Sequence, residues 1–551
     1  MNNSSKNSTN FLLGAAIIAF SHVFVKIIGM LFRLPLANII GTQGIAVYQT
    51  AYSIYTVFFV IATAGLPVAI SKMISERRAS GNLKEVKKIY TISLKVLLVI
   101  GIAGTVILIS GAKLFSNSFG YANYYPAIIC LAPSLFFVSV SSVYRGYYQG
   151  MQNMIPTAVS ELFEALFKLI CGLSFAVLLV PYGYVIAASG GILGVTTGAC
   201  ISAIFLIIYH RINNKKENNK LIILNSERNS IIKELVKIAV PITLGSCVFS
   251  MTSVIDTAMV LRRLQSIGYM QEETEIMFGY YSGYAITLFN LPASVIVGLS
   301  ISIVPAITNA LVNKQKETAG KIIATGIRFT WQLAFPAGIG MAVMAKPILK
   351  LLYPNADFVM PMHSDLPKNP LIRLICNNTD ATKLLTLLGL AISLVCLTMV
   401  TNAILQALDN EWKPVKNMFI GGIIKIICNY ILIGIPEINI MGAPISTTLC
   451  YLTITGLNLY SINKKINVNY DKMAAFVKPA ISVIIMSVGS VYLYSFTSVK
   501  YGNFTSTVIS VGTAVILYLV TMLLLKGFKR EDIEMLPKSK IITKIFGRCL
   551  S

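Results

Sequence analysis

Apolar residues in this chain come in long runs separated by short polar stretches. Fourteen runs are read along it: 11–32, 51–74, 91–112, 126–149, 157–180, 185–209, 236–260, 280–311, 325–345, 384–408, 414–435, 442–462, 474–496 and 504–526. Most reach the roughly 20 residues with which a helix crosses a hydrocarbon core of about 30 Å. A barrel would show short alternating segments instead. The eighth run is unusually long and contains Pro292 and Pro305, and the ninth has an indistinct end. The pattern predicts an all-α polytopic membrane protein of about 14 transmembrane helices.

Composition agrees with the pattern. Only 12% of the 551 residues are charged and 55% are hydrophobic, whereas a soluble domain keeps about 25% charged. A chain this poor in charge cannot cover itself against water, so lipid is the solvent for most of its surface. The opening MNNSSKNSTN lacks a basic n-region and a small-residue cleavage site, and the first run reads as a retained helix.

Of the 46 Lys and Arg, about 27 fall in the tails and in loops after even-numbered helices, and about 10 in loops after odd-numbered ones. That bias places both termini on the cytoplasmic side. Arg77, Arg78, Lys84, Lys87 and Lys88 mark one cytoplasmic loop, and Arg211, Lys215, Lys216 and Lys220 another. The net charge of +24 is then a topology signal and a contact to anionic membrane lipid, and no nucleic acid is expected as a partner. Cys130, Cys171, Cys200, Cys247, Cys396, Cys428 and Cys450 lie in apolar runs, with no CxxC spacing and only three scattered histidines, His22, His210 and His363. Neither a zinc site nor a disulfide framework is supported.

The chain repeats itself weakly. LPVAISKMISE (66–76) and VPAITNALVNK (304–314) each precede a basic loop, with Pro67 and Pro305 238 positions apart. YYQGMQN (147–153) and NAILQALDN (402–410) each open a polar turn before a proline, and Gln149/Gln406 and Lys168/Lys425 are both 257 apart. A longer outer loop in the second half (353–383 against 113–125) accounts for nearly all the change in offset. Each half holds six helices, and an even repeat re-enters the membrane in the same direction, giving two parallel lobes about an axis along the membrane normal. The domains expected are an N-terminal lobe (1–210), a cytoplasmic linker (211–235), a C-terminal lobe (236–463), two extra helices (464–526) and a basic cytoplasmic tail (527–551).

A charge at the bilayer centre costs about 2.5–3.5 kcal/mol on insertion scales, so a transmembrane charge is a functional candidate. Lys72, Lys95, Lys237, Arg328 and Lys478 stand near run boundaries and are expected to snorkel. Lys26 lies well inside the first run, on one helical face with Gly29 and Arg33. The fifth run carries Glu161, Glu164 and Lys168, with Glu164 and Lys168 spaced as an i,i+4 pair. Arg145 near the end of the fourth run could join them. The eleventh run carries Lys425 and the seventh Asp256. One reading is an aqueous cavity with a cationic floor of Lys26, Arg33, Lys168 and Lys425 that receives an anionic head group. The other is a set of buried ion pairs tying helices together. Gly190, Gly194 and Gly198 mark a close-packing face. The prolines of the eighth run suit either a broken helix at a transport site or an ordinary kink.

Residues 26–73, KIIGMLFRLPLANIIGTQGIAVYQTAYSIYTVFFVIATAGLPVAISKM, and 144–161, YRGYYQGMQNMIPTAVSE, resemble the polysaccharide-biosynthesis group of the MOP exporter superfamily, within it the MurJ-like and SpoVB-like proteins of Gram-positive bacteria. The resemblance runs over nearly the whole chain. It implies a MOP/MATE-like fold in a bacterial cytoplasmic membrane and a flippase for undecaprenyl-pyrophosphate-linked sugars, above all lipid II, in growth or in sporulation. By alternating access the head group would enter an inward-open cavity and its diphosphate would meet cations. The tail would stay in lipid beside the two extra helices. The family's first-helix cation matches Lys26, and its downstream basic residue lies near Arg33. The arginines some members carry in the second and eighth helices are replaced here by YTVFFVIATAG (55–65) and YAITLFNLP (284–292), which leaves Lys168 and Lys425 as the other cation candidates. No cofactor is expected. The drive is the membrane potential or an ion gradient, with Glu161, Glu164 or Asp256 as proton or sodium acceptors. Cell-wall synthesis enzymes are candidate partners.

Three other classes are weighed. A MATE-type antiporter would use the membrane acids for cationic substrates. A membrane glycosyltransferase or ligase would need positioned carboxylates, but the long outer loop offers Asp357, His363, Asp365 and Asp380 with no DxD pair. A scaffold for envelope enzymes is the third. With no P-loop, ATP hydrolysis by this chain is not expected, nor any other enzymatic activity.

Overall fold

The computed structural model describes residues 2–213, 225–361, 380–408, 410, 412–466, 468 and 473–527. His363, Asp365, Lys215, Lys216, Lys220 and the basic tail beyond 527 lie outside the described residues. Among the described residues, regular structure is helical apart from one isolated bridge between Val359 and Asp380. Nine described helical stretches are long and apolar enough to cross a membrane, or ten if Lys316–Val343 and Ala345–Leu352, bent by 79°, form one span.

Each predicted run falls on helix. The first two share α1 (Asn2–Thr63), which breaks at Gly41 (φ 68°, ψ −174°). Only glycine adopts that conformation without a Cβ clash, and here it reverses the chain. The Phe32 and Tyr48 rings, one on each side of the break, stand 6.1 Å apart, and Arg33 Nη2 donates to Gln49 Oε1 at 2.6 Å. The second span continues into α2 (Gly65–Ala79). Then follow α3 (Leu83–Ser118), α4 (Tyr125–Gly150), α5 (Ile155–Leu179), α6 (Tyr184–Asn213) and α7 (Asn225–Ser266). The chain divides into two compact units, Met1–Arg262 and Arg263–Ser551, so most of α7 belongs to the first.

In the first unit, α5 and α6 meet through the expected glycine face. A Cβ at Gly194 would lie 2.3 Å from Gly172 Cα, and one at Gly198 2.5 Å from the Glu164 carbonyl oxygen. Such backbone approach is how membrane helices gain dispersion energy when no water is there to drive apolar burial. Leu66, Ile70, Met73, Ile74, Ile89, Val143 and Leu235 form a core where α2, α3, α4 and α7 join. Beside it Arg77 pairs with Glu85 (2.7 Å) and Glu234 (3.4 Å), and Lys88 with Glu227 (2.8 Å). These ion pairs line a cavity of about 350 Å³ between the ends of α2, α3 and α7.

In the second unit α8 (Gln271–Phe278) precedes the eighth run, which becomes a π-helical turn (Gly279–Ala285) and α9 (Ile286–Val312). The irregularity thus sits at the π turn, and α9 passes through both Pro292 and Pro305. Tyr284 of that turn stacks on Tyr353 at 4.0 Å. The ninth run is α10 (Lys316–Val343), bent into α11 (Ala345–Leu352), which explains its indistinct end. Because α10 begins at Lys316, Arg328 lies about three turns inside it. Contrary to expectation it does not snorkel: it is buried, 5% exposed, with Thr325 Oγ1 at 3.4 Å. Lys72, Lys95 and Lys237 are exposed as expected, and Lys478 Nζ reaches the Lys526 carbonyl at 2.8 Å.

The next helices are α12 (Thr382–Ala407), α13 (Trp412–Ile433) and α14 (Gly442–Lys465). They are tied by a buried amide cluster, in which Asn417 Nδ2 donates to Asn458 Oδ1 (2.8 Å) and Asn458 Nδ2 donates to Thr401 (2.9 Å) and Asn402 (2.8 Å). The last two runs share α15 (Lys478–Leu524), broken at Gly502 (φ 72°). Tyr518 of α15 donates to the Gln332 carbonyl of α10 at 2.7 Å. Around the break Tyr492, Phe496 and Val499 are largely exposed, as lipid-facing residues are.

Candidate functional site

The reversal at Gly41 brings both arms of α1 against α5. Lys168 Nζ lies 5.0 Å from the Phe32 ring centroid on the first arm and 5.4 Å from Tyr52 on the second. The faces of the two rings hold the ammonium by their quadrupoles and contribute no anion. Tyr48, Tyr52, Tyr55 and Phe59 continue as a ladder of neighbouring rings 5.5–5.8 Å apart. Lys26 is exposed on the first arm. Neither Lys26 nor Lys168 makes an ion pair among the described residues. Arg33 is half-buried and donates to Gln49.

The Glu164–Lys168 pair expected from spacing does not form. Glu164 turns instead to Arg145 of α4, whose Nη2 donates to it at 2.8 Å. Arg145 also donates to Ser160 Oγ (Nε, 3.1 Å) and to Ser202 Oγ of α6 (Nη2, 3.0 Å). A planar fork with five donors satisfies more acceptors here than an ammonium would, so the arginine takes the carboxylate and the lysine is left to the rings. This cluster fits the alternative of ion pairs tying helices.

Glu161, one turn before Glu164, faces α1. Its Oε2 lies 3.5 Å from His22 Nδ1, with side-chain exposures of 17% and 48%. Ser21 Oγ donates to the Ala158 carbonyl at 3.1 Å and pins the two helices beside this contact. Asp256 is half-buried on α7, next to Thr257, whose hydroxyl meets that of Ser53 at 3.2 Å. Lys425 is half-buried on α13, thirteen residues from the first residue of its helix, as Lys168 is on α5. It belongs to the second unit, whereas Lys26, Arg33 and Lys168 belong to the first.

Sequence reasoning missed His22, Phe32 and Tyr52. His22 was legible, since it precedes Lys26 by four residues and shares its face. The two rings carried no signal, because aromatic residues are ordinary in membrane helices. Among the described residues no cluster of His, Cys, Asp or Glu could hold a metal ion. The arrangement can do two things: offer cations to an anionic group, and exchange a proton between an imidazole and a carboxylate.

The fold is that of transporters of the MOP superfamily. An inward-facing multidrug resistance MATE family transporter matches with a TM-score of 0.62 at 13% identity, over 81% of this chain and 98% of that one. The lipid II flippase MurJ in an inward closed conformation matches with 0.66 at 15% identity, over 92% and 98%. The model of the polysaccharide biosynthesis protein family matches residues 11–311, more than half of the chain, and the chain belongs to that family. In Bacillus subtilis (strain 168) it is similar to stage V sporulation protein B, 22% identical over 96% of this chain and 98% of that one. It is similar to the lipid II flippase MurJ of the same organism, 25% identical over 93% and 95%.

Proposed function

We propose that the protein is a flippase that moves an undecaprenyl-pyrophosphate-linked cell-wall precursor, lipid II or a related lipid-linked oligosaccharide, across the cytoplasmic membrane by alternating access. The observation that carries this is positive charge within the membrane that makes no ion pair. Among the described residues Lys26 and Lys168 pair with no carboxylate, and a cation that serves only to tie helices together would have such a partner. A diphosphate supplies the missing anion. Lys168, held by Phe32 and Tyr52, is the fixed contact, and Lys26 and Arg33 on the first arm of α1 complete it. Lys425 is the counterpart from the repeat. The name of one Bacillus relative, lipid II flippase MurJ, supports the class of substrate. Lipid-linked glycan and membrane lipids are thus the partners, with cell-wall synthesis enzymes as candidates to supply or take the precursor. Both termini are cytoplasmic on this reading. An anion leaving a negative interior is favoured by about 2.3 kcal/mol per charge per 100 mV.

The test is lipid II binding and translocation by purified protein in liposomes. Lys26→Ala, Lys168→Ala and Lys425→Ala are expected to lose about tenfold or more in affinity, roughly 1.4 kcal/mol each, while remaining monodisperse. Normal binding and flipping in all three would overturn the cationic site. Failure of the wild type to bind lipid II, with transport of a cationic dye in exchange for protons, would replace the flippase with an antiporter.

A further inference from the structure

Glu161 differs from every other membrane charge in the first unit. The charges around it are His22 from α1, Arg145 from α4 and Glu164 from its own helix. Arg145 is already bound to Glu164, Ser160 and, from α6, Ser202. Glu161 Oε2 is buried and makes no hydrogen bond. The group facing it is His22 Nδ1 at 3.5 Å. On its own helix His22 faces Lys26, one turn on. Of the groups that face Glu161, two carboxylates and one guanidinium carry one net negative charge, which one proton on the His22–Glu161 pair neutralises. Net charge in a low-dielectric site is costly. His22 is half-exposed, and Lys26 is exposed on the same face. A lysine is tolerated there only where water reaches the face, so a proton has a path.

We propose that His22 and Glu161 form a proton-binding site that couples proton movement to transport. This deepens the flippase reading and rests on it. In one state the imidazolium and carboxylate attract and hold α1 against α5. In the other, with the proton gone, a neutral imidazole faces a carboxylate and that attraction is lost. The balance is one proton bound or released, with no other bond made or broken. Sodium fits less well, because a hard cation needs several oxygen ligands and the group facing Glu161 is a nitrogen. Because His22 precedes Lys26 by one turn, the state of the pair sets the charge on the face that would meet the diphosphate.

With only three histidines in the chain, the site can be read directly. In protein carrying nitrogen-15 histidine, the His22 signal is the one lost in His22→Gln. Glu161→Gln is expected to change the His22 ring-nitrogen signal, because the imidazole loses the carboxylate that faces it at 3.5 Å. An unchanged signal would overturn the pair without touching the flippase reading. Flipping of lipid II in liposomes under an imposed pH difference, at clamped potential, is the second arm. The wild-type rate is expected to change about tenfold across two pH units, and Glu161→Gln and His22→Lys to lose that dependence. His22→Lys keeps a cation beside Glu161, so restoration of the pH response by this variant would show a merely structural pair and overturn the proposal. A wild type that flips lipid II at a rate indifferent to the pH difference would overturn it too. A wild type that flips nothing, while the His22 signal still responds to Glu161→Gln, would sink the flippase instead.

Discussion

Arg145 and Lys168 show how neighbouring cations divide roles by the shape of their head groups. The guanidinium fork takes Glu164 and two serine hydroxyls on two other helices, and the ammonium rests on two rings. Removing Arg145 strands Glu164 and two hydroxyls in a largely dry setting. Arg145→Ala is expected to cost about 2–4 kcal/mol, somewhat under the value for a fully buried pair. This would appear as a lowered unfolding temperature in detergent. The double variant with Glu164→Gln should recover part of the loss, because no charge is then left alone. Lys168→Ala should leave the unfolding temperature nearly unchanged and lower head-group affinity. Equal destabilisation by both single variants would contradict this division.

Two kinds of glycine govern the helices. Gly41 and Gly502 have positive φ and end one span so that the next can begin. Gly172, Gly194 and Gly198 are helical and matter for what they lack. With a Cβ position 2.3 Å from Gly172 Cα, Gly194→Val must push α6 off α5. A loss of about 3 kcal/mol or more is expected, seen as loss of monodisperse protein on size exclusion. Gly456 of α14 is the control, since nothing lies within 4 Å of its Cβ position. Gly456→Ala is expected to be neutral or to stabilise by about 0.4–1 kcal/mol in thermal unfolding. The π turn at Gly279–Ala285 left no trace in the hydrophobic pattern, which reports which residues face lipid and not how many close each turn. Pro292 and Pro305 lie within α9, beyond that turn.

For the molecule as a whole, the basic loops predict that the turn at Gly81 faces the cytoplasm and the turn at Gly120 the outside. Alkaline phosphatase fused after Gly81 should be inactive, and after Gly120 active. The opposite pattern would invert the topology and with it the direction in which the potential drives an anion. The chain forms two compact units, each with its own close glycine contacts.

The sequence alone determined the membrane, the all-helical fold and the family. Each of these is written in the order of residues, as length of apolar run and spacing of motifs. It also singled out charged residues within the membrane runs as candidates, because charge in lipid is costly. It could not decide their partners. Spacing along α5 permitted Glu164 to meet Lys168, but the choice was made across helices, by Arg145 arriving from α4 and the two rings from α1. Arg328 was misjudged for the same reason, since its depth depends on where α10 begins. Pairing in a membrane protein is settled by which helices touch, and that is decided only when the bundle closes.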